Sequence, residues 1–202
     1  MDDWEIKGKP ALIIVHMQRG VLDEDSKIAF LGLTTEVLKQ SGTILCQQAL
    51  LNGFRAKKLP VIYIIATLTE QVVTFPAYGK FWELIASLRP NSPGSKDIEV
   101  IPELSPEPGE PVISNWPISG FSNSNLQELL SDYNAEIVIV AGVATENAVL
   151  ATTLQAVELG YSAIVPKDAS ASVNPKTHEL VMRSIFPLWG LVVSTQEVLT
   201  HL

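Results

Sequence analysis

The stretch IVIVAGVATENAVLATTLQAVELG, residues 137–160, decides how this chain folds. Residues 137–141 are apolar without polar alternation, which predicts a buried strand. A sharp turn over 142–145 follows, and the pattern over 146–160 predicts a helix that ends at its glycine. In an open α/β sheet, ligands collect where a strand turns into a helix, and a nucleophile on the first helical turn is activated by the positive end of the helix. The residue in that place is Ala148.

The rest of the chain repeats this alternation of short apolar runs and longer helical patterns, which indicates βαβ units and a parallel sheet. We therefore expect an α/β fold of three layers, a doubly wound and mainly parallel six-stranded sheet with helices on both faces. The predicted strands are 11–15, 61–66, 111–115, 137–141, 161–165 and 190–194. The predicted helices are 34–58, 80–87, 124–132, 146–160, 176–186 and a short one at the end of the chain.

Residue spacing adds detail to three of these helices. Ser124 with Gln127 three positions later has the pattern of a capping box, which predicts a helix start there. Apolar residues at helical spacing predict one buried face on 34–58 and one on 176–186. These residues are Val37, Leu38, Ile44, Leu45 and Leu51 in the first helix, and Leu180, Val181 and Ile185 in the second.

We expect residues 1–202 to form a single domain, since 202 residues of which 47% are hydrophobic suffice for one full core. A loop-rich excursion is predicted at about 67–110, with one short helix inside it. Excursions of this kind often form a lid or a subunit contact. This one carries six prolines and an aromatic cluster of Phe75, Tyr78, Phe81 and Trp82.

Composition excludes several classes of function. A net charge of −8 argues against nucleic acid or an anionic membrane as partner, because both require clustered basic residues. No apolar run reaches the roughly 18 to 20 residues that span a bilayer, and the first residues lack the pattern of a signal peptide. We therefore expect a cytoplasmic protein whose partners are small molecules or other proteins. The single cysteine, Cys46, excludes an internal disulfide, and its place inside a predicted helix indicates a packing residue.

Six segments of the chain carry a family resemblance. In order, they are ALIIVHMQ (11–18), NSPGSKDIEVIPEL (91–104), PVISNWPISGF (111–121), VAGVAT (140–145), KDASAS (167–172) and THELVMRSIF (177–186). Together they resemble the isochorismatase-like hydrolases, or cysteine hydrolase family, which includes nicotinamidases, N-carbamoylsarcosine amidases and isochorismatases. The resemblance implies the Rossmann-like, doubly wound sheet that the apolar pattern also indicates.

The resemblance also implies three catalytic positions, and each is substituted in this chain. The family's general-base aspartate falls on His16, its lysine on Asn115, and its nucleophilic cysteine on Ala148. Alanine has no lone pair with which to attack, so cysteine-dependent amidase activity is not expected. The isochorismatases proper also lack the cysteine, but they keep the aspartate that His16 replaces.

No metal and no cofactor are expected. Nicotinamidase-like relatives carry histidines just after the second strand, where this chain reads Thr67-Leu68-Thr69-Glu70. The three histidines, at positions 16, 178 and 201, are far apart in sequence. His178 stands where the family often has a histidine, and a structural or capping role is predicted for it.

A pocket is expected around the three substituted positions. The resemblance implies that the turn at 142–145 contains a non-proline cis peptide whose N–H groups form an oxyanion hole, so the ligand would be a small carbonyl or carboxylate compound. The other expected pocket residues are Gln18, Trp116, Phe121, Val143, Ala144, Thr145 and Glu146.

Two functions follow. The first is a non-catalytic homologue that binds a small molecule or serves as a partner in a homo-oligomer, a dimer or tetramer. The alternative is a hydrolase or lyase with rebuilt chemistry, in which His16 acts as base with Glu146 as its orienting carboxylate on a small amide, ureide or carboxylate compound. A His16 satisfied by hydrogen bonds and a solvated Glu146 would favour the first function.

Overall fold

A parallel sheet forms the centre of the structure, a computed structural model that describes residues 4–68, 78–88 and 91–202. The strands are β1 (Pro10–Val15), β2 (Val61–Ala66), β3 (Val112–Asn115), β4 (Ile137–Val143), β5 (Ser162–Pro166), β6 (Ser170–Ala171) and β7 (Leu191–Val193). Their order is β3-β2-β1-β4-β5-β7, with the short β6 paired to β4. All these pairings are parallel, so the predicted α/β sheet is confirmed and gains β6 as a seventh strand.

Helices cover the sheet on both faces. They are α1 (Arg19–Leu22), α2 (Thr35–Gln40), α3 (Thr43–Ala56), α4 (Lys80–Leu88), α5 (Leu126–Asp132), α6 (Leu150–Glu158), α7 (Pro175–Leu180) and α8 (Thr195–His201). Shorter 3₁₀ turns lie at Ala29–Leu31, Lys96–Ile98, Pro102–Leu104 and Phe186–Leu188, and π-helical turns at Thr145–Val149 and Val181–Ile185. Within the described ranges, no helix is long and apolar enough to cross a membrane.

The central strand β1 separates two hydrophobic cores. Leu12 and Ile14 point into a core shared with α3 and α8. Ala11, Ile13 and Val15 point to the other face, into a core shared with α5 and α6. Successive side chains of a strand face opposite ways, so a strand covered on both sides has no position for a polar residue. This is why the sequence of β1 is apolar throughout.

The strand order reverses between β1 and β4. From β1 the sheet continues through β2 to β3, and from β4 it continues through β5 to β7. Val15 and Gly142 are paired neighbours at the carboxyl ends of β1 and β4. In open α/β sheets, the crevice beyond such a switch point is where ligands bind. His16 and the turn after β4 begin at this crevice.

The predicted helix over 34–58 is wrong, because two helices occupy this stretch. Gly42 separates α2 from α3 and has a positive φ of 79°, a left-handed conformation that glycine adopts without steric cost. The change of direction also ends the single predicted apolar face. Val37 and Leu45 are 46% and 66% exposed, whereas Leu38 is buried.

The predicted capping box at Ser124 is also wrong. The helix begins at Leu126, and Ser124 Oγ donates to the carbonyl of Gly120 and accepts from the N–H of Leu126 at 3.3 Å. A capping box does occur at the start of α8, where Ser194 and Glu197 bond each other's backbone. Both serines therefore organise a chain turn, but only the second has the glutamate that closes the box.

The stretch predicted as one helix over 176–186 changes its winding midway. The side chain of Asn174 caps α7, and a π-helical turn follows α7 directly. The extra residue in a π turn rotates the residues after it relative to those before it. Leu180, the last residue of α7, is 57% exposed whereas Val181 is buried, so these two residues do not share the predicted buried face.

The excursion at 67–110 contains the predicted helix, α4, together with two 3₁₀ turns. Trp82 on α4 contacts Trp116 edge to face, with ring centroids 5.8 Å apart. Phe75 of the predicted aromatic cluster lies outside the described residues, as do Thr69 and Glu70.

Gly142 provides a direct test of this architecture. A Cβ at Gly142 would lie 2.1 Å from the carbonyl oxygen of Val15, and its φ is +134°. We expect Gly142→Ala to lower the free energy of unfolding by at least about 3 kcal/mol, measured by urea denaturation. The matched control is Gly160→Ala, since Gly160 also has a positive φ but nothing within 4 Å of a new Cβ. That change should lower the free energy of unfolding by only about 1 kcal/mol. Equal losses of unfolding free energy in the two variants would contradict the prediction.

Candidate functional site

His16 is the first residue after β1 and stands at the switch point of the sheet. Its backbone is left-handed, with a φ of 53°, and its N–H donates to the carbonyl of Ile64 at 2.8 Å. This conformation ends the strand and is uncommon for residues other than glycine, although asparagine, aspartate and histidine adopt it more often than the rest. The side chain is only 9% exposed.

Asn115, at the end of β3, fixes the orientation of the His16 ring. Its Nδ2 donates to the carbonyls of Ile118 and Ser119 at 3.0 and 2.8 Å. Carbonyl oxygens only accept, so this end of the amide must be the NH₂ group and the other end must be Oδ1. Asn115 Oδ1 lies 2.8 Å from His16 Nε2. His16 Nε2 therefore carries a proton and donates it.

His16 is neutral at physiological pH. Burial lowers the pKa of His16 to about 4, and the hydrogen bond to Asn115 opposes this only in part. A neutral imidazole has one N–H, and Nε2 holds it, so Nδ1 carries a lone pair. Nδ1 makes no hydrogen bond to the described residues.

Ala148 lies across from this pair, in the π-helical turn between β4 and α6. It is 3% exposed, and its methyl group contacts the core beneath the sheet. The peptide between Val143 and Ala144 is cis, as the family resemblance implies. The strand, turn and helix predicted from the opening stretch are thus present, with the helix entered through a π turn.

A cavity of about 130 Å³ opens between these elements. Five residues named from the sequence line it: His16, Trp116, Val143, Ala144 and Ala148. No charged side chain belongs to the wall within the described part of the chain. The remaining lining residues are Val21, Ile28, Leu31, Leu33, Ala66, Phe81, Ile85, Asn91, Pro117, Ile118, Asn147 and Val173.

Other predicted pocket residues lie behind the wall. Gln18 is fully buried and joins the end of β2 to a neighbouring loop, since it bonds the N–H and carbonyl of Ala66 and the carbonyl of Asp97. Phe121 packs in the core and stacks on Tyr161. Neither residue is part of the cavity lining, so both support the site from outside it.

Thr145 and His178 form a second polar pair beside the cavity. Thr145 Oγ1 lies 2.8 Å from His178 Nδ1. Burial lowers the pKa of His178, and a hydrogen bond with the Lys167 backbone and the Glu146 carboxylate oppose this shift. The pair ties α7 to the π turn, so His178 has a structural role. The predicted capping role is wrong, because Asn174 caps α7.

The pairing of His16 with Glu146 that the alternative function requires is not found among the described residues. The His16 ring bonds Asn115, and Glu146 Oε2 is buried with no hydrogen-bond partner among the described residues. His16 thus lacks an orienting carboxylate.

Sequence reasoning missed much of the cavity wall. Phe81 and Ile85 of α4 reach the cavity one helical turn apart, a spacing that could have pointed to a shared face. Asn91, Asn147 and Val173 come from three separate segments and carry no such signal.

Metal ligands are not clustered in the described residues, where no group of three or more histidine, cysteine, aspartate or glutamate side chains could hold an ion. Thr69 and Glu70, part of the stretch compared with nicotinamidase ligands, lie outside those residues. Burial raises the pKa of the Cys46 thiol, which disfavours the reactive thiolate.

This chain is similar to known proteins over nearly its whole length. The Isochorismatase domain family matches residues 10–197. An uncharacterized isochorismatase family protein of Bacillus subtilis, YwoC, is 24% identical over 95% of this chain and 93% of its own. A cysteine hydrolase from Pseudomonas syringae pv. phaseolicola superimposes with a TM-score of 0.83 at 23% identity, over 98% of this chain and 94% of that one. N-carbamoylsarcosine amidase from Thermoplasma acidophilum superimposes with a TM-score of 0.72 at 26% identity, over 93% of this chain and 96% of that one.

The buried neutral His16 should make stability depend on pH. Its pKa is about 4 when folded and 6.5 when exposed, so the unfolded chain binds more protons between these values. This contribution to stability is present above pH 6.5 and is lost as pH falls toward 4. We expect His16→Asn to remove up to about 3 kcal/mol of the fall in unfolding free energy between pH 7 and 4, because asparagine does not titrate and tolerates this backbone. Urea titrations of both proteins at several pH values measure the difference, and parallel curves would contradict it.

Proposed function

Because this chain belongs to the isochorismatase family, we propose that it keeps the family's hydrolase fold as a non-catalytic homologue that binds a small molecule in the cavity beyond β1 and β4. The observation that carries this proposal is the methyl group of Ala148 in the cavity wall, on the first turn after β4. A nucleophile placed there would meet a ligand, and alanine cannot act as one.

The state of His16 supports the same conclusion. A general base works best when its pKa lies near the operating pH, and burial lowers the pKa of His16 to about 4. Its partner is the neutral amide of Asn115, which stabilises an imidazolium less than a carboxylate would. These features disfavour the alternative, a hydrolase or lyase that uses His16 on a small amide, ureide or carboxylate compound.

The cavity wall favours an uncharged ligand. Sequence reasoning allows a small carbonyl or a carboxylate compound, and a carboxylate would lose its hydration in the described wall without meeting a cation. An uncharged carbonyl compound loses far less hydration free energy on entering the cavity. Its oxygen would lie against the turn at Val143 and Ala144, which line the cavity.

We also propose a homo-oligomer, a dimer or tetramer. Leu180, Leu188 and Trp189 are large exposed apolar residues within ten positions of one another, a composition that subunit contacts favour. The cytoplasmic location stays a prediction from the sequence.

The central test is a search for turnover and for binding in the same preparation. We expect no hydrolysis of small amides, ureides or isochorismate, under conditions in which N-carbamoylsarcosine amidase from Thermoplasma acidophilum is active on its own substrate. Uncharged members of a small-molecule library should raise the melting temperature, since a ligand that binds only the folded state stabilises it. Turnover that disappears in His16→Ala would instead establish the alternative.

A gain-of-function variant tests which groups are missing. We expect amidase activity to appear when His16→Asp, Asn115→Lys and Ala148→Cys are combined, because a thiolate, a base and a cation are then present together. The control carries the first two changes with Ala148→Ser, and it should stay inactive because serine is a much weaker nucleophile. Circular dichroism establishes that both variants fold. Equal activity in the two would contradict the assignment of position 148.

A further inference from the structure

Backbone carbonyls fix one atom of the cavity wall, Nδ1 of His16, as a hydrogen-bond acceptor. The carbonyls of Ile118 and Ser119 can only accept, so they hold the NH₂ group of Asn115. Asn115 must then accept from His16 Nε2 at 2.8 Å. His16 Nδ1 is left as an acceptor without a proton. The polarity follows from two main-chain carbonyls and does not depend on any ligand.

The space in front of His16 is the size of a single ring. Its volume is about 130 Å³, close to the roughly 150 Å³ of an apolar protein cavity that binds benzene. Phe81, Trp116 and Pro117 contribute flat side chains to the wall. Such walls favour a planar apolar molecule.

A group that only accepts hydrogen bonds discriminates between ligands. A ligand O–H or N–H beside Nδ1 is satisfied on entering the cavity. A carbonyl or ether oxygen in the same place would face a second lone pair and would lose its water without compensation. A carboxylate would also bring a charge to a described wall that has none.

We infer that the cavity selects an uncharged, mainly apolar molecule of about one ring that donates an O–H or N–H to Nδ1 of His16. This inference rests on the proposed binding function and names the chemical class of the ligand.

Three probes of similar size test it by isothermal titration calorimetry at pH 7: phenol, toluene and benzoate. Phenol and toluene differ only by a hydroxyl in place of a methyl group. Phenol is expected to bind more tightly than toluene, and benzoate at least tenfold more weakly than phenol. Toluene binding as tightly as phenol, or benzoate binding best, would overturn the inference.

Two variants isolate the role of the acceptor. His16→Phe keeps a ring but removes Nδ1, so the preference for phenol over toluene should fall at least tenfold. Leu45→Ala changes an exposed residue outside the cavity lining and keeps the acceptor, so the preference should stay at its wild-type value. An unchanged preference in His16→Phe would overturn the inference.

Nitrogen-15 NMR of the wild-type protein gives a measurement that requires no variant. The His16 ring should carry its proton on Nε2 at pH 7, and phenol should shift the Nδ1 resonance whereas toluene should not. A proton on Nδ1, or no response to phenol, would overturn the inference. These outcomes leave the proposed function intact if other uncharged ligands still raise the melting temperature, whereas turnover of amides would defeat the proposed function whatever the probes show.

Discussion

The close backbone contact between Val15 and Gly142 governs the geometry of the site. The two central strands pair there with no side chain between them, and a Cβ on Gly142 would collide with the carbonyl of Val15. The next residue on one strand is His16, and the next on the other leads into the turn that carries Ala148. Because the strands meet so closely, residues that are 132 positions apart line one small cavity.

A short chain of hydrogen bonds sets the chemical character of that cavity. It begins at two main-chain carbonyls, passes through the amide of Asn115 and ends at the imidazole of His16. Each hydrogen bond in this chain joins a donor to an acceptor, and His16 Nδ1 is the acceptor left open at its end. Among the described residues, the arrangement holds a neutral ring in place through neutral groups alone.

Sequence patterns predict the sheet well because β1, β2 and β4 are buried on both faces and must be apolar throughout. Helix details depend on local winding that periodicity does not reveal. A left-handed Gly42 divides one expected helix, and π turns at Thr145–Val149 and Val181–Ile185 shift the residues that follow them.

The sequence predicts which residues meet at the strand ends, but it does not predict which contacts their side chains make. Position alone brings His16, Asn115 and Ala148 together, because parallel strands end at the same edge of the sheet. The sequence offers Glu146 as a partner of His16 only under the alternative function, and in the structure the partner is Asn115. The spacing of Phe81 and Ile85 indicates a shared face on α4, but no local pattern indicates that this face, or Asn91, reaches the cavity, because that is a tertiary property.

The bond between His16 and Asn115 makes the two positions interdependent. The NH₂ group of Asn115 is held by two carbonyls, so an aspartate at position 16 alone would face the amide oxygen and leave two acceptors opposed. A lysine at position 115 alone would bury an ammonium group beside a neutral ring with no carboxylate to pair with it. A single substitution of this kind at either position is therefore destabilising, whereas the two changes made together would compensate each other.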